Sequence, residues 1–442
     1  MTERLLRAEG PVQTERLLRR RDRVESTLAA YVASGGMKGL ARAREAGPQG
    51  VTRLLSEAGL VGRGGAGFPT GRKWEGVRTA KDPVRYVVLN ADESEPGTFK
   101  DRVLIESDPF LVLEGLLIAA FTVNATRAYI FIRGEYRRQA AILAQAAEEL
   151  RQAGYLDGPT IEIRRGAGAY VTGEETAMFN AIEGYRSQPR SKPPFPNEAG
   201  LFGKPTLINN VETIANVPDI IAEGAAWYRS QGTVTSPGTK IFTVSGHVGR
   251  PGAYELAFGT PLAELLKLAG APAGGDGLGA VLLGGAAGAF VFPADFDLPL
   301  SYEAARERGI TLGSGAVMAF DAETDLWDVA ERLADFFAHE SCGQCVPCRI
   351  GTKRQQEIVA KLAAGRGSMG GGPAGRGGGP GGDHGRGGGP GRSDAEARAL
   401  LLELGQVMGD ASICGLGQAA GIAIRSLIEH EAASPAAATR EG

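Results

Sequence analysis

Along most of the chain, apolar residues recur at spacings that identify the element they build. Leu326, Val329, Ala330, Leu333, Phe336 and Phe337 keep helical spacing, and residues 355–364, 394–405 and 419–431 read the same way, so the C-terminal third predicts a small helical bundle. Between residues 238 and 292, short β-rich runs at 240–245 and 280–283 flank a helical stretch at 262–269 among many glycines, which predicts a compact β-rich module. Upstream, strands at 85–89, 128–132 and 160–164 alternate with helical stretches at 111–121 and 137–153. That alternation predicts an α/β sheet domain. The longest uncharged stretch, 277–294, has about the minimum length of a membrane span, but its glycines and Pro293 read as strands and turns.

The 442 residues suffice for several cores. With 48 Lys and Arg against 51 Asp and Glu, the net charge of -3 gives no general attraction to nucleic acid or acidic lipid. The 66 glycines are about twice average usage, and their excess resolves into residues 365–393, which hold sixteen Gly and four Arg. Such a segment buries too little apolar surface to offset its ordering entropy, so it predicts a flexible insertion between two helices. Two Arg-Gly-Gly copies, at 376 and 386, resemble an RNA-binding tract, yet two copies in an acidic chain are thin support for one. At the start, Thr2-Glu-Arg-Leu-Leu-Arg7 recurs from Thr14 to Arg19, followed by Arg20, Arg21 and Arg23. This charged pattern is unlike a secretory signal and predicts a solvated helical arm over 1–50. Four cysteines, three of them crowded, suit a reducing compartment and a cytoplasmic location.

Those cysteines are the strongest chemical signal. Cys342-Gly-Gln-Cys345-Val-Pro-Cys348 places three thiolates at two-residue spacing, and Cys414 supplies a distant fourth. The triplet plus one favours a [4Fe-4S] cluster, with a four-thiolate zinc site as the competing reading, although structural zinc usually takes two separate cysteine pairs.

Gly62-Arg63-Gly64-Gly65-Ala66-Gly67 satisfies G-x-G-x-x-G, but a helix precedes it where a dinucleotide fingerprint requires a strand. What remains is backbone able to approach a phosphate or flat ring closely, with Arg63 and Lys73 as countercharge. A strand ending at Leu89 runs into Asn90-Ala-Asp92-Glu93-Ser-Glu95, carboxylates suited to ribose hydroxyls and repellent to the extra phosphate of NADP. After the third strand come Tyr170, Gly173, Glu174 and Glu175; Thr172 and Glu175 have the spacing of a capping box, with Glu174 spare. Downstream lie Lys192 and Phe195 in a proline-stiffened segment, then Asn209, Asn210 and Thr213 at an apparent helix start.

In this order, over residues 59–427, these segments resemble the NADH-binding flavoprotein subunit of respiratory complex I and its relatives, the diaphorase subunits of NAD-linked formate dehydrogenases and hydrogenases. The resemblance implies an α/β, Rossmann-like FMN/NADH domain at 51–235, a ubiquitin-like β-grasp, soluble-ligand-binding domain at 236–320, and a helical [4Fe-4S] domain at 321–442 interrupted at 365–393. It implies FMN held by Gly62, Arg63, Gly64, Gly65, Lys73, Asn90, Asp92, Gly173, Glu174, Asn209, Asn210 and Thr213, with Ala66 and Gly67 completing the loop. It implies NADH near Phe68, Glu93, Glu95, Tyr170, Glu175, Lys192 and Phe195, with Glu93 and Glu175 by the nicotinamide, and cluster ligation by Cys342, Cys345, Cys348 and Cys414. Hydride transfer then belongs to the cofactors, so no protein acid or base is required.

No cysteine is left for a second cluster, so the implied partners are a thioredoxin-like [2Fe-2S] subunit and a further iron-sulfur subunit, with nucleic acid excluded and the membrane reached only through a larger complex. Gly76 stands where several members carry a bulky residue that covers the nucleotide. The segments around Cys348 and Cys414 resemble the formate dehydrogenase and hydrogenase branch, whereas the length without a fused domain resembles complex I. Two other classes predict different behaviour: a colourless zinc scaffold with an Arg-Gly interaction tract, and a β-rich module that binds a corrinoid or sugar beside a vestigial flavin site.

Overall fold

The computed structural model describes residues 15–21, 26–156, 158–271, 277–367 and 393–433, residue 366 by its backbone alone. It divides after Thr324 into two compact units. In the first, strands β1 (Tyr86–Ala91), β2 (Arg127–Ile132), β3 (Thr160–Arg165) and β4 (Thr206–Asn210) form a sheet in the order β3-β2-β1-β4, and every pairing is parallel. Val87, Val88 and Leu89 are buried in succession because both faces of β1 are covered, the pattern expected of a parallel sheet. The Pro109–Val123 helix is buried along nearly its whole length. Its one carboxylate, Glu114, accepts hydrogen bonds from the backbone N–H groups of Met37 (2.8 Å) and Leu40 (2.9 Å) and from the Tyr31 hydroxyl. That carboxylate is the acceptor for N–H donors at the start of the Lys38–Ala58 helix, which has no side-chain cap of its own.

The second sheet contains β5 (Thr239–Gly246), β6 (Gly252–Ala257), β7 (Leu278–Leu283), β8 (Ala289–Val291) and β9 (Ala316–Asp321) in the order β6-β5-β9-β7-β8. Its central β5–β9 pair is parallel and the others are antiparallel, and the Leu262–Leu268 helix packs its Leu262, Leu265 and Leu266 onto Phe242, Val244 and Val317. This is a β-grasp arrangement. The uncharged 277–294 stretch becomes β7, β8 and the turns between them, and among the described residues no helix is long and apolar enough to cross a membrane.

The solvated arm expected at the N-terminus is corrected where the chain is described. Leu17 and Leu18 are fully buried, and the backbone N–H groups of Arg16, Leu17 and Leu18 all donate to one Glu255 oxygen on β6, at 2.9, 2.8 and 2.9 Å. Among residues 15–21 only a single 3-10 turn, Leu18–Arg20, is helical, and the helices Leu28–Ala33 and Lys38–Ala58 follow. Arg20 pairs with Asp108 at 2.7 Å, and Arg16 lies over the Trp227 ring. A charged sequence can pack inward when each charge meets a partner, and no local pattern records partners more than 200 residues away.

The second unit comprises the helices Leu326–Glu340, Val346–Gly367, Asp394–Ala411, Gly415–Ala419 and Ile422–Ala433. Ser393 and Glu396 form a capping box at the third of these. Most of the glycine-rich block lies outside the described residues, although the second helix continues to Gly367.

Glu255→Ala should expose the importance of the arm's anchor. The three N–H groups and the Thr239 hydroxyl, which donates to the other oxygen at 2.6 Å, would lose their acceptor together. A loss of about 3 kcal/mol is expected, read as an earlier denaturation midpoint and faster proteolysis near residue 16.

Candidate functional site

In an open α/β sheet, the crevice beyond the carboxyl ends of the strands is deepest where the strand order reverses. Here that point lies between β1 and β4, and the register sets Leu89 opposite Asn209 and Asn90 opposite Asn210. Three predicted amides therefore converge. Asn209 Oδ1 accepts from Trp74 Nε1 at 2.8 Å, a buried indole that fixes its rotamer. Asn210 Oδ1 caps the Val211–Ala215 helix by accepting from Glu212 N–H at 3.0 Å, and its Nδ2 donates to Asp101 at 2.5 Å. Asn90 donates to the Gly173 carbonyl at 2.9 Å, and a Cβ on Gly173 would stand 3.4 Å from Asp92 Oδ2.

The glycine loop lies against the same edge. A Cβ on Gly64 would come within 3.2 Å of Asn210 Cβ, and Gly65 and Gly67 adopt φ of 125° and 62°. The loop needs glycine for close approach at the first position and for left-handed backbone at the other two. Gly64 and Ala66 are exposed, as an incoming ligand requires. Arg63 N–H donates to Thr213 Oγ1 at 2.8 Å, joining the loop to the helix after β4.

The expectation that Arg63 offers countercharge is corrected. Its guanidinium is buried over the Phe258 ring and donates to the Tyr228 hydroxyl (2.7 Å) and the Thr239 carbonyl (3.2 Å), so only its backbone serves the loop.

The cations under the site are ones the sequence reading missed. Lys100 Nζ bonds Asp101 (2.7 Å), Asn210 Oδ1 (3.0 Å) and Glu212 (3.1 Å), and all but Asn210 are almost completely buried. Lys100-Asp101 directly follows the acidic loop at a helix start, which was the available signal. Glu93 and Glu95 do not line an open row of carboxylates. Glu93 accepts from the N–H groups of Asp101 (2.7 Å) and Arg102 (2.9 Å) and from Tyr136 Oη (3.0 Å), fastening the start of the Lys100–Ser107 helix. Burial, reinforced by Asp101, pushes its carboxyl up to about 7. Glu95 turns toward the second sheet and accepts from Ala287 N–H at 3.0 Å.

A second charged group borders the crevice. Glu175 pairs with Lys73 (3.0 Å) and Lys192 (2.7 Å), and Lys192 also reaches Glu174 (3.1 Å). Burial alone would raise Glu175, but the two lysines outweigh it and hold the carboxyl below its usual range. Glu174 is the true cap of the Glu175–Ile182 helix, accepting from Thr176 (2.8 Å) and Ala177 (2.9 Å). Thr172 instead sits in the preceding 3-10 turn with Tyr170, so the expected capping box is corrected. Phe68 and Phe195 are about half exposed, 48% and 51%, large apolar rings left available for stacking.

These donors suit a flat group carrying a phosphate: amides for ring edges, glycine N–H groups with a buried cationic floor for the anion, and exposed rings beside them. FMN with a nicotinamide nucleotide meets that description.

In the second unit, Cys342 and Cys345 lie between two helices, Cys348 in the first turn of Val346–Gly367, and Cys414 immediately before Gly415–Ala419. Burial pushes the Cys348 thiol up to about 11, and Cys345, Cys414 and Cys342 add to that rise, so all four sulfurs act on one space. A Cβ on Gly417 would meet Ser412 Oγ at 2.4 Å and Cys348 Cβ at 2.9 Å, so this glycine admits the fourth cysteine's segment. Among the described residues, no three His, Cys, Asp or Glu side chains are grouped to hold a single metal ion. A four-iron cluster, with a thiolate for each iron, makes no such demand.

Three family models match the chain: the Nuo51 FMN-binding domain over residues 55–219, the SLBB domain over 241–283, and the NADH-ubiquinone oxidoreductase-F iron-sulfur binding region over 328–372. The sequence is 40% identical over 413 residues to the second F subunit of the NADH-quinone oxidoreductase of Rhizobium meliloti (strain 1021), covering 91% of this chain and 92% of that one. It is 43% identical over 362 residues to the NADH-quinone oxidoreductase F subunit of Escherichia coli (strain K12), covering 79% and 81%. A solved NAD+-reducing [NiFe]-hydrogenase in the H2-reduced state is similar in structure, with a TM-score of 0.79 and 36% identity. That similarity covers 92% of this chain and 66% of the hydrogenase chain, slightly under two thirds of its length.

Gly417→Ala should disturb the four-cysteine site alone. Neither Ser412 nor Cys348 is a long flexible side chain that can swing away, so iron and sulfide per purified chain should fall by at least about half while FMN content is unchanged, as direct analysis of both would show.

Proposed function

Because the chain belongs to the family of NADH-quinone oxidoreductase F subunits, we propose that it is the NADH dehydrogenase subunit of a complex I-type NADH:quinone oxidoreductase. The observation that carries this reading is the convergence of the glycine loop, Asn90, Asn209, Asn210 and Thr213 at the sheet's switch point. Bound FMN supplies hydride acceptance from NADH, and a [4Fe-4S] cluster supplies one-electron transfer onward.

The chain's part is to bind and orient. Gly62, Gly64, Gly65 and the Arg63 backbone line the phosphate end, where glycine lets N–H groups approach the anion. Asn90, Asp92, Gly173, Glu174 and Asn209 border the ring, and Lys73 stands beside them through Glu175. Phe68, Tyr170, Lys192 and Phe195 receive the nucleotide, with Glu175 kept ionised by its two lysines. Glu93 and Glu95 act from behind, fixing the helix start and the turn at Ala287. Cys342, Cys345, Cys348 and Cys414 hold the cluster. These are the only cysteines, so electrons leave through partner subunits, one a thioredoxin-like [2Fe-2S] protein and another a further iron-sulfur protein. The assembly works on the cytoplasmic side of a membrane.

Similarity to the hydrogenase over 92% of this chain favours a second reading, the same module in a soluble NAD-linked hydrogenase or formate dehydrogenase.

Anaerobic titration of the purified chain with NADH, and separately NADPH, tests the proposal. NADH should bleach a flavin band and generate an iron-sulfur EPR signal at about one FMN and four iron per chain, with NADPH far less effective. A colourless zinc protein, unresponsive after reconstitution with FMN, iron and sulfide, would overturn it.

A further inference from the structure

The glycine loop rests on a charged floor to which both sheets of the first unit contribute. Lys240, on β5 of the β-grasp sheet, is completely buried. Its Nζ donates to the carbonyls of Ser314 (3.0 Å) and Arg63 (3.4 Å) and lies 3.5 Å from Glu212 Oε2. The next residue of the strand donates to the same carboxylate, Ile241 N–H to Glu212 Oε1 at 2.9 Å. Space for the lysine stem is reserved by Gly315: at φ 94°, a Cβ there would meet Ile241 O at 2.6 Å and Lys240 Cε at 2.9 Å.

Among the charged groups linked directly beneath the loop, cations outnumber carboxylates. Lys100, Lys240 and Arg63 stand against Asp101 and Glu212, all buried. Burial raises the carboxyls of nearby Glu93, to about 7, and of Glu95. Buried cations in excess are costly unless an anion completes them, and the side left for one is the glycine loop, where flavin phosphate is placed by the reading above. Resting on that reading, we propose that Lys240 is a positioning residue for the flavin: it fixes the Arg63 carbonyl so that the loop's N–H groups face the phosphate, and it makes the β-grasp module part of the FMN site.

Burial lowers the Lys240 ammonium to about 8; Glu212 opposes that fall, and Lys100 and Arg63 add to it. The remaining charged group facing it is Glu95, while Tyr302 and Tyr228, beside Arg63, are raised by burial and stay neutral. A bound phosphate favours the protonated lysine. Above about pH 8, FMN binding must therefore take up a proton, and affinity falls as pH rises, by up to about tenfold per unit.

Equilibrium FMN binding to the flavin-stripped full-length chain, followed by flavin fluorescence from pH 7 to 9.5, tests this with wild type, Lys240→Arg and Lys240→Met. Wild-type Kd should rise roughly tenfold or more across the alkaline limb. Lys240→Arg, which stays charged, should flatten that rise. Lys240→Met should bind at least about tenfold more weakly at pH 7 and show no slope. A flat wild-type profile, an unchanged slope in Lys240→Arg, or wild-type affinity in Lys240→Met overturns the role of Lys240. Should Lys240→Met fail to fold, the wild-type and Lys240→Arg profiles decide alone. Failure of wild type to bind FMN at any pH overturns the functional reading as well.

Discussion

The Glu212 carboxylate is the constraint on which the site end of the first unit depends. It is wholly buried between Lys100 and Lys240 and takes a backbone N–H from β5, so one group from the parallel sheet's side holds two from the β-grasp sheet. Burial alone would raise its pKa, but Lys240, Lys100 and Arg63 outweigh that effect and keep it ionised. Such a group confers little net stability, yet removing one partner strands a buried charge at about 3–5 kcal/mol. The arrangement therefore tolerates one geometry. Asn210, two residues earlier, inherits that precision: it caps the same helix while Lys100 and Asp101 hold both ends of its amide.

This explains how a glycine loop outside the usual strand-loop-helix setting can still serve a nucleotide site. In the dinucleotide fold, the loop is placed by the strand that precedes it. Here a helix precedes it, and placement comes from the side: Thr213 takes the Arg63 N–H, Lys240 takes its carbonyl, and Arg63's own guanidinium is anchored to Tyr228 and Thr239. An arginine that looks like a phosphate ligand in the sequence is, in the fold, the pin that holds the loop to the second sheet.

What the sequence made legible follows from range. The strands at 85–89 and 128–132 were readable because a doubly covered sheet demands apolar runs, the partly exposed edge strand at 160–164 because its isoleucines alternate with polar residues, and the Asn210 cap because capping is local. The cysteine spacing was readable for the same reason. The misreadings concern choices made by distant partners. Thr172 and Glu175 have the spacing of a capping box, but the 3-10 turn leaves Glu174 at the N-cap position. Glu93 and Glu95 also hold the helix start at Lys100 and the turn at Ala287, contacts that the acidic run alone does not record. Lys240 reads only as a strand residue, because Glu212 and Arg63 lie 28 and 177 residues away.

The helical unit shows the opposite dependence. Its glycine-rich block lengthens the interval between the third and fourth cysteines, yet sequence distance does not govern their approach. The Asp394–Ala411 helix returns beside Val346–Gly367 at Gly351, where a Cβ would stand 2.6 Å from Met408 Cγ, and meets the start of Ile422–Ala433 at Gly405, where a Cβ on Gly421 would stand 2.7 Å from Gly405 Cα. Gln355 then donates to the Ala420 carbonyl at 2.8 Å, fixing the turn that follows Cys414. The placement of Cys348 and Cys414 thus follows from contacts between described helices rather than from their separation in sequence. The remaining cost is chemical rather than topological. Burial raises the Cys348 thiol, and a cluster held there would need its thiolate, so loading would release a proton and depend on pH.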